Sequence, residues 1–166
     1  MLESLLVQYF DGKLIEKTAS NELLYRVKTI NKGILTGTRI SISALVLLHN
    51  KEINFQNLAD KIIETVNNTH SISSRHISCT WLFCSESGGI YLHEAIATKE
   101  NRRHKGMRNR FVVINTLNGT VSFGPGHKDN QKTSDTIRAL FDKSKVIPRA
   151  QWEQAFSKVI TGLTQF

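Results

Sequence analysis

Six permanent cations fall within twelve residues of this chain: Lys99, Arg102, Arg103, Lys105, Arg108 and Arg110, with Glu100 the single acid among them. Their chemistry is charge neutralisation rather than bond making. A guanidinium fork matches phosphate oxygens two at a time where an ammonium cannot, and arginine outnumbers lysine here four to two. Met107 is the one large apolar residue of the segment, so the sequence predicts an exposed loop that tracks a phosphate backbone. The competing interpretation is a solvated connector with no partner.

The distribution of charge favours phosphate. The net charge over 166 residues is +8, yet residues 1–98 carry nine basic and nine acidic side chains, so the whole excess lies beyond residue 98. An asymmetry of this kind suits a polyanion-binding surface, because neutralisation of phosphates and release of their counterions dominate non-specific affinity for nucleic acid. The turn Gly124-Pro125-Gly126-His127-Lys128 runs from a strand toward a helix start, where backbone N–H groups can cradle a phosphate. Its spacing is neither G-x-x-x-x-G-K-[ST] nor G-x-G-x-x-G, so no nucleotide-binding motif follows, and Lys128 is read as an extension of the basic surface.

Signals for catalysis are weaker. His76, Cys79, Cys84 and His93 are separated by two, four and eight residues, which matches no standard zinc pattern. No metal and no cofactor is expected. A metal-dependent nuclease or other phosphate-processing enzyme would draw its acids and bases from Glu94, Glu100, His93, His104 and His127, but no acidic cluster with a nearby lysine stands out and no nucleophile-elbow sequence is present. Catalytic residues are left unassigned.

Several elements must position these residues. Leu2, Leu5, Leu6, Tyr9 and Phe10 recur at helical spacing over residues 2–10. Residues 20–31 carry Leu23, Leu24, Val27 and Ile30 at a helical spacing, although Leu24, Arg26 and Lys28 equally suit one face of a strand. Ile40 to Leu48 alternate as a well-buried strand, and Phe55, Leu58, Ala59, Ile62, Ile63 and Val66 form a helical stripe entered through Asn54. Residues 76–84 and 89–97 read as a hairpin around Ser85 to Gly89. Residues 111–117 and 120–124 read as a second hairpin, with Asn118-Gly119 forming a type I′ turn. Helices are predicted over 134–144 and from Pro148 to the end, the latter through Trp152, Phe156, Val159, Ile160 and Leu163. Cys79 and Cys84, five apart on one strand, would point to opposite faces and stay reduced.

The sum is one α+β domain over 1–166: an antiparallel sheet of about four or five strands, two hairpins at its centre, with N- and C-terminal helices packed on it. A winged-helix arrangement competes for residues 41–96, with Ser71 to Trp81 as recognition helix. Residues 41–98 carry three cations against five acids, the wrong sign for a DNA reader. No window is apolar enough for a membrane span and no secretion signal is read, so a cytoplasmic protein is expected. The expected function is non-catalytic binding of nucleic acid, DNA or RNA, through the 99–110 loop and Lys128. Exposed aromatic rings would add base stacking. The rivals are the nuclease and a protein-interaction module, an inhibitor or adaptor, docking an acidic partner.

Overall fold

The computed structural model describes residues 7, 12–31, 38–49, 53–70, 72, 76–86 and 96–123. They form one seven-stranded mixed sheet with a long helix on one face. The chain enters through an antiparallel meander, β1 (Lys13–Lys17), β2 (Asn21–Asn31) and β3 (Thr38–Leu48). It then crosses by α1 (Phe55–His70) to β4 (Ile77–Ser85), which lies parallel to β3. After the short helix α2 (Lys99–Arg102), β5 (Arg103–His104) turns into β6 (Met107–Asn115), and β7 (Val121–Phe123) follows. β6 runs parallel to β4, while β5 and β7 both pair antiparallel with β6, giving the order β1-β2-β3-β4-β6-β5 with β7 off that path.

Each secure element follows from its residues. Asn54 caps α1 by accepting the N–H of Asn57 at 3.1 Å, and Phe55, Leu58, Ala59, Ile62, Ile63 and Val66 make its buried stripe. That stripe lies on Leu23 and Tyr25 of β2, Ile40 to Val46 at alternate positions of β3, Ile77, Cys79, Trp81 and Phe83 of β4, and Met107, Phe111 and Val113 of β6. Phe55 plugs the centre, edge-on to Trp81 at 4.9 Å and to Phe111 at 5.1 Å between centroids. Cys79 and Cys84 form no disulfide and are buried on opposite faces, as their spacing predicts. Burial pushes the Cys79 thiol well up.

Five expectations are corrected. The sheet is mixed and seven-stranded, not an antiparallel sheet of four or five strands with two central hairpins. Residues 76–84 form no hairpin with 89–97, because both edges of β4 are taken by the parallel strands β3 and β6. β4 reads Ile-Ser-Cys-Thr-Trp-Leu-Phe-Cys-Ser and is buried from Cys79 through Cys84, with side chains of both faces covered, as befits a central parallel strand, while Ser78 and Ser85 are half-buried. Residues 20–31 are the strand rather than the helix, since cross-strand pairing with all of β3 outweighs a helical spacing of four apolar residues. The winged helix falls as well, with strands at Thr38–Leu48 and Ile77–Ser85 where it needs helices.

The basic segment is the fifth correction. It is not a loop. It comprises α2, β5, a turn and the first half of β6. Lys105 and Gly106 carry φ of 45° and 85°, so the two-residue turn with both central residues left-handed lies here. The β6–β7 connection forms the expected hairpin by a longer loop, in which Gly119 alone has positive φ and its N–H returns to the Asn115 carbonyl. The helices predicted over 2–10, 134–144 and from Pro148 lie outside the described residues. Among the described residues no helix is long and apolar enough to cross a membrane.

Ile62 is fully buried where α1 meets the sheet. Ile62→Ala should lower stability by about 2–5 kcal/mol, read as a shift of the urea midpoint at unchanged slope.

Candidate functional site

Alternation along the strands sorts the sheet into two faces, and register aligns each face into rows. On the face opposite α1 one row reads Arg26, Ser43, Thr80, Arg110, and the next reads Lys28, Ser41, Ser78, Arg108, Arg103. Arg39 lies one position further along β3 on the same face. Six cations and four hydroxyls thus share half of one sheet face. Arg26, Lys28, Arg39, Arg103 and Arg108 are exposed, Arg110 is half-buried, and Thr80 is 5% exposed on the floor. No carboxylate of the described residues lies in these rows.

The cations stand at the margins and the short hydroxyl side chains in the middle. β3 and β4 contribute Ser41, Ser43, Ser78 and Thr80, between β2 on one side and β6 with β5 on the other. At an inter-strand spacing of about 4.8 Å, the walls at β2 and β6 are about 14 Å apart, and β5 extends the width to about 19 Å. Among the described residues the surface is a shallow trough floored by hydroxyls, with Thr80 buried at its base. Ser78 Oγ reaches the Ile40 carbonyl at 3.5 Å, across the β3–β4 junction. Burial, then the neighbouring charge of Arg108, pulls the Arg110 guanidinium below its ordinary value, so the two cations are held together against their repulsion.

The phase of β6, and with it the direction of Arg108 and Arg110, is fixed from the opposite face. Trp81 Nε1 donates to Asn109 Oδ1 at 2.9 Å, and Asn109 Nδ2 donates to the Asn101 carbonyl at 2.8 Å. Asn101 Nδ2 in turn donates to the Ile96 carbonyl at 3.0 Å, and the Asn101 N–H is capped by Thr98 Oγ1. These side chains of Trp81, Asn101 and Asn109 are buried, so the chain of bonds ties α2 to the sheet with its polar groups satisfied.

The residues singled out from the sequence therefore separate. Arg103, Arg108 and Arg110 come together on the trough. Lys105 turns to the α1 side, where it pairs with Asp60 at 2.9 Å, and His104 Nε2 meets the same carboxylate at 2.7 Å. Lys99 and Arg102 are exposed on α2. Glu100 is a first-turn residue of α2 whose carboxyl is lowered by hydrogen bonds from its own backbone N–H and from Thr98, which makes it a local cap. Lys128, His127, His93 and Glu94 lie outside the described residues. No group of three potential metal ligands occurs among the described residues. The aromatic rings of Phe55, Trp81, Phe83 and Phe111 are buried on the α1 face and are not available for stacking, whereas Phe123 of β7, paired with Val112, is half-buried on the face of the basic rows.

Sequence reasoning missed Arg26, Lys28, Arg39 and the four hydroxyls. The signal was present as a period-two pattern, with Arg26 and Lys28 two apart, Ser41 and Ser43 two apart, and Arg108 and Arg110 two apart. What it lacked was the register that aligns the pairs.

Comparisons with protein-family models, curated proteins and solved structures return no match.

Two outcomes follow for this network. Asp60 is held below the usual carboxylate range by hydrogen bonds from Lys105 and His104. Its contribution is present above the ordinary aspartate pKa and is lost as pH falls through the lowered value. Asp60→Asn should therefore cost stability at neutral pH, by less than about 1 kcal/mol for so exposed a group, and the two urea curves should converge in acid. Asn109→Leu leaves the Trp81 N–H buried without its acceptor and should cost about 1–3 kcal/mol, measured the same way.

Proposed function

We propose that this protein binds nucleic acid without catalysis, through phosphate contacts made by the basic half of the sheet face. The observation that carries the reading is the gathering of Arg26, Lys28, Arg39, Arg103, Arg108 and Arg110 on one surface with no carboxylate of the described residues beside them. Charges laid out in this way build a local positive potential, which attracts polyanions and accelerates their encounter. The hydroxyls between them are further phosphate partners.

Catalysis finds no support on this surface. Cleavage of a phosphodiester calls for carboxylates that hold a metal or move a proton, and those of the described residues lie elsewhere: Asp60 and Glu64 on α1, Glu16 against Lys61, Glu22 against Lys17, Glu86 just past the end of β4, and Glu100 at its cap.

Fluorescence titrations at several salt concentrations test the proposal. Affinity should fall steeply with salt, and Arg26→Ala, Arg108→Ala and Arg110→Ala should each weaken binding about equally across sequences, lowering the log–log salt slope by about one unit apiece. Lys105→Ala, directed at Asp60 instead, should leave affinity nearly unchanged. Strands incubated with magnesium should remain whole on a denaturing gel. Absence of binding at low salt, with an acidic protein retained instead, would place the surface in a protein interface.

A further inference from the structure

Among the described residues one aromatic ring stands on the face of the cations, that of Phe123 on β7; Tyr25, Phe55, Trp81, Phe83 and Phe111 all pack on the α1 side. We infer that Phe123 is the platform on which an unpaired base of the bound nucleic acid stacks, while the exposed Arg108 and Arg103 hold its phosphates. The inference rests on the nucleic-acid reading and specifies what the surface grips besides phosphate.

Register places the ring. Phe123 lies directly opposite Val112 of β6, and so ends a row that runs Leu24, Leu45, Leu82, Val112, Phe123 across five strands. This is the first apolar row beyond the cations. On the outer side of β6, Phe123 is paired with Val112 and Arg103 with Arg108, so ring and cations are four residues apart, about 14 Å along the strand. One short stretch of nucleic acid spans that distance. Arg110, at the level between them, is half-buried and already engaged within the protein, so the phosphate contacts fall to Arg108 and Arg103.

Burial singles the ring out. Leu45, Leu82 and Val112 of the same row are fully buried and Leu24 nearly so, whereas Phe123 keeps part of its surface in water. The far end of the row, Leu14 on β1, is exposed as well but carries no π face.

A phenyl ring at the margin of a cationic surface suits a ligand that is itself divided, flat and apolar in one part and anionic in the other. A nucleotide has that division. Stacking on an aromatic side chain tolerates any base, because every base has a π face, and it requires a base that has left its pair. Ser41, Ser43 and Ser78, between the cations, offer hydrogen bonds and nothing flat.

Fluorescence anisotropy at low salt on the full chain provides the test, with two labelled probes of equal length: an oligothymidylate and an abasic deoxyribose-phosphate strand. The thymidylate should bind about tenfold tighter than the abasic strand. Phe123→Ala should remove that advantage and leave the abasic affinity unchanged, a split that a merely structural role would not produce. Phe123→Tyr, which keeps the ring, should retain the advantage, and Phe123→Leu, which keeps apolar bulk, should lose most of it. Arg108→Ala should weaken both probes by the same factor. Circular dichroism checks the fold of each variant, and the Tyr and Leu variants decide the point if the Ala variant fails to fold. Equal affinity for the two probes, equal loss on both with Phe123→Ala, or full affinity with Phe123→Leu overturns the inference, and the nucleic-acid reading then stands if Arg108→Ala still weakens both. Binding to neither probe overturns both readings.

Discussion

The indole N–H of Trp81, buried beneath Phe55, has one acceptor, the side-chain oxygen of Asn109 on the neighbouring strand, and the phase of both strands depends on that bond. Successive side chains of a strand point to opposite faces, so a slip of one residue in β6 would carry Arg108 and Arg110 into the core and Phe111 out to water. The aromatic cluster of Phe55, Trp81, Phe83 and Phe111 forbids that slip by packing, and the Trp81–Asn109–Asn101 chain forbids it by hydrogen bonding. What holds the core together thereby aims the cations. Each residue of β4 and β6 that packs under α1 fixes its neighbours on the trough.

Electrostatics follow the same division. On the α1 side, acids and bases meet: Glu16 with Lys61, and Asp60 with Lys105 and His104. Each such exposed pair is worth little to stability. Their larger effect is spatial, because they hold Glu16 and Asp60 on the α1 side of the sheet, away from the basic rows. Among the described residues no carboxylate lies in the rows that hold Arg26, Lys28, Arg108 and Arg110. A chain that is neutral over residues 1–98 therefore still contributes Arg26, Lys28 and Arg39 to a basic surface, which net charge by segment does not reveal.

Elements with a local signature were legible from residues alone. α1 shows its stripe and its Asn54 cap, β3 its alternation, and the β6–β7 hairpin its place in the chain, although the type I′ turn expected at Asn118-Gly119 is replaced by a longer loop. β2 was ambiguous because Leu23, Leu24, Val27 and Ile30 satisfy two periods at once, and only the length of its pairing with β3 decides. Parallel pairing of β3, β4 and β6 was not legible, since partners far apart in sequence leave no turn between them, and the Ser85 to Gly89 stretch imitated a hairpin. The basic segment was misread for a related reason. Its charges suggested a loop, yet Met107 and Asn109 are buried members of β6, and the cations between them are simply the outward half of an alternating strand. Half of the candidate site was visible as composition, and the other half exists only through register.

That register also exposes a boundary that folding alone does not require. On the face opposite α1 the rows change character at one level across four strands: Arg26 gives way to Leu24, Ser43 to Leu45, Thr80 to Leu82 and Arg110 to Val112. Beyond it Leu45, Leu47, Leu82, Cys84, Val112 and Ile114 are all buried. A sheet seeking stability would continue the apolar rows, because β-branched and large apolar side chains favour strands while serine adds little packing and two adjacent arginines repel. Four strands switching together, from hydrocarbon to hydroxyl and guanidinium, mark the point at which this face stops being composed as core.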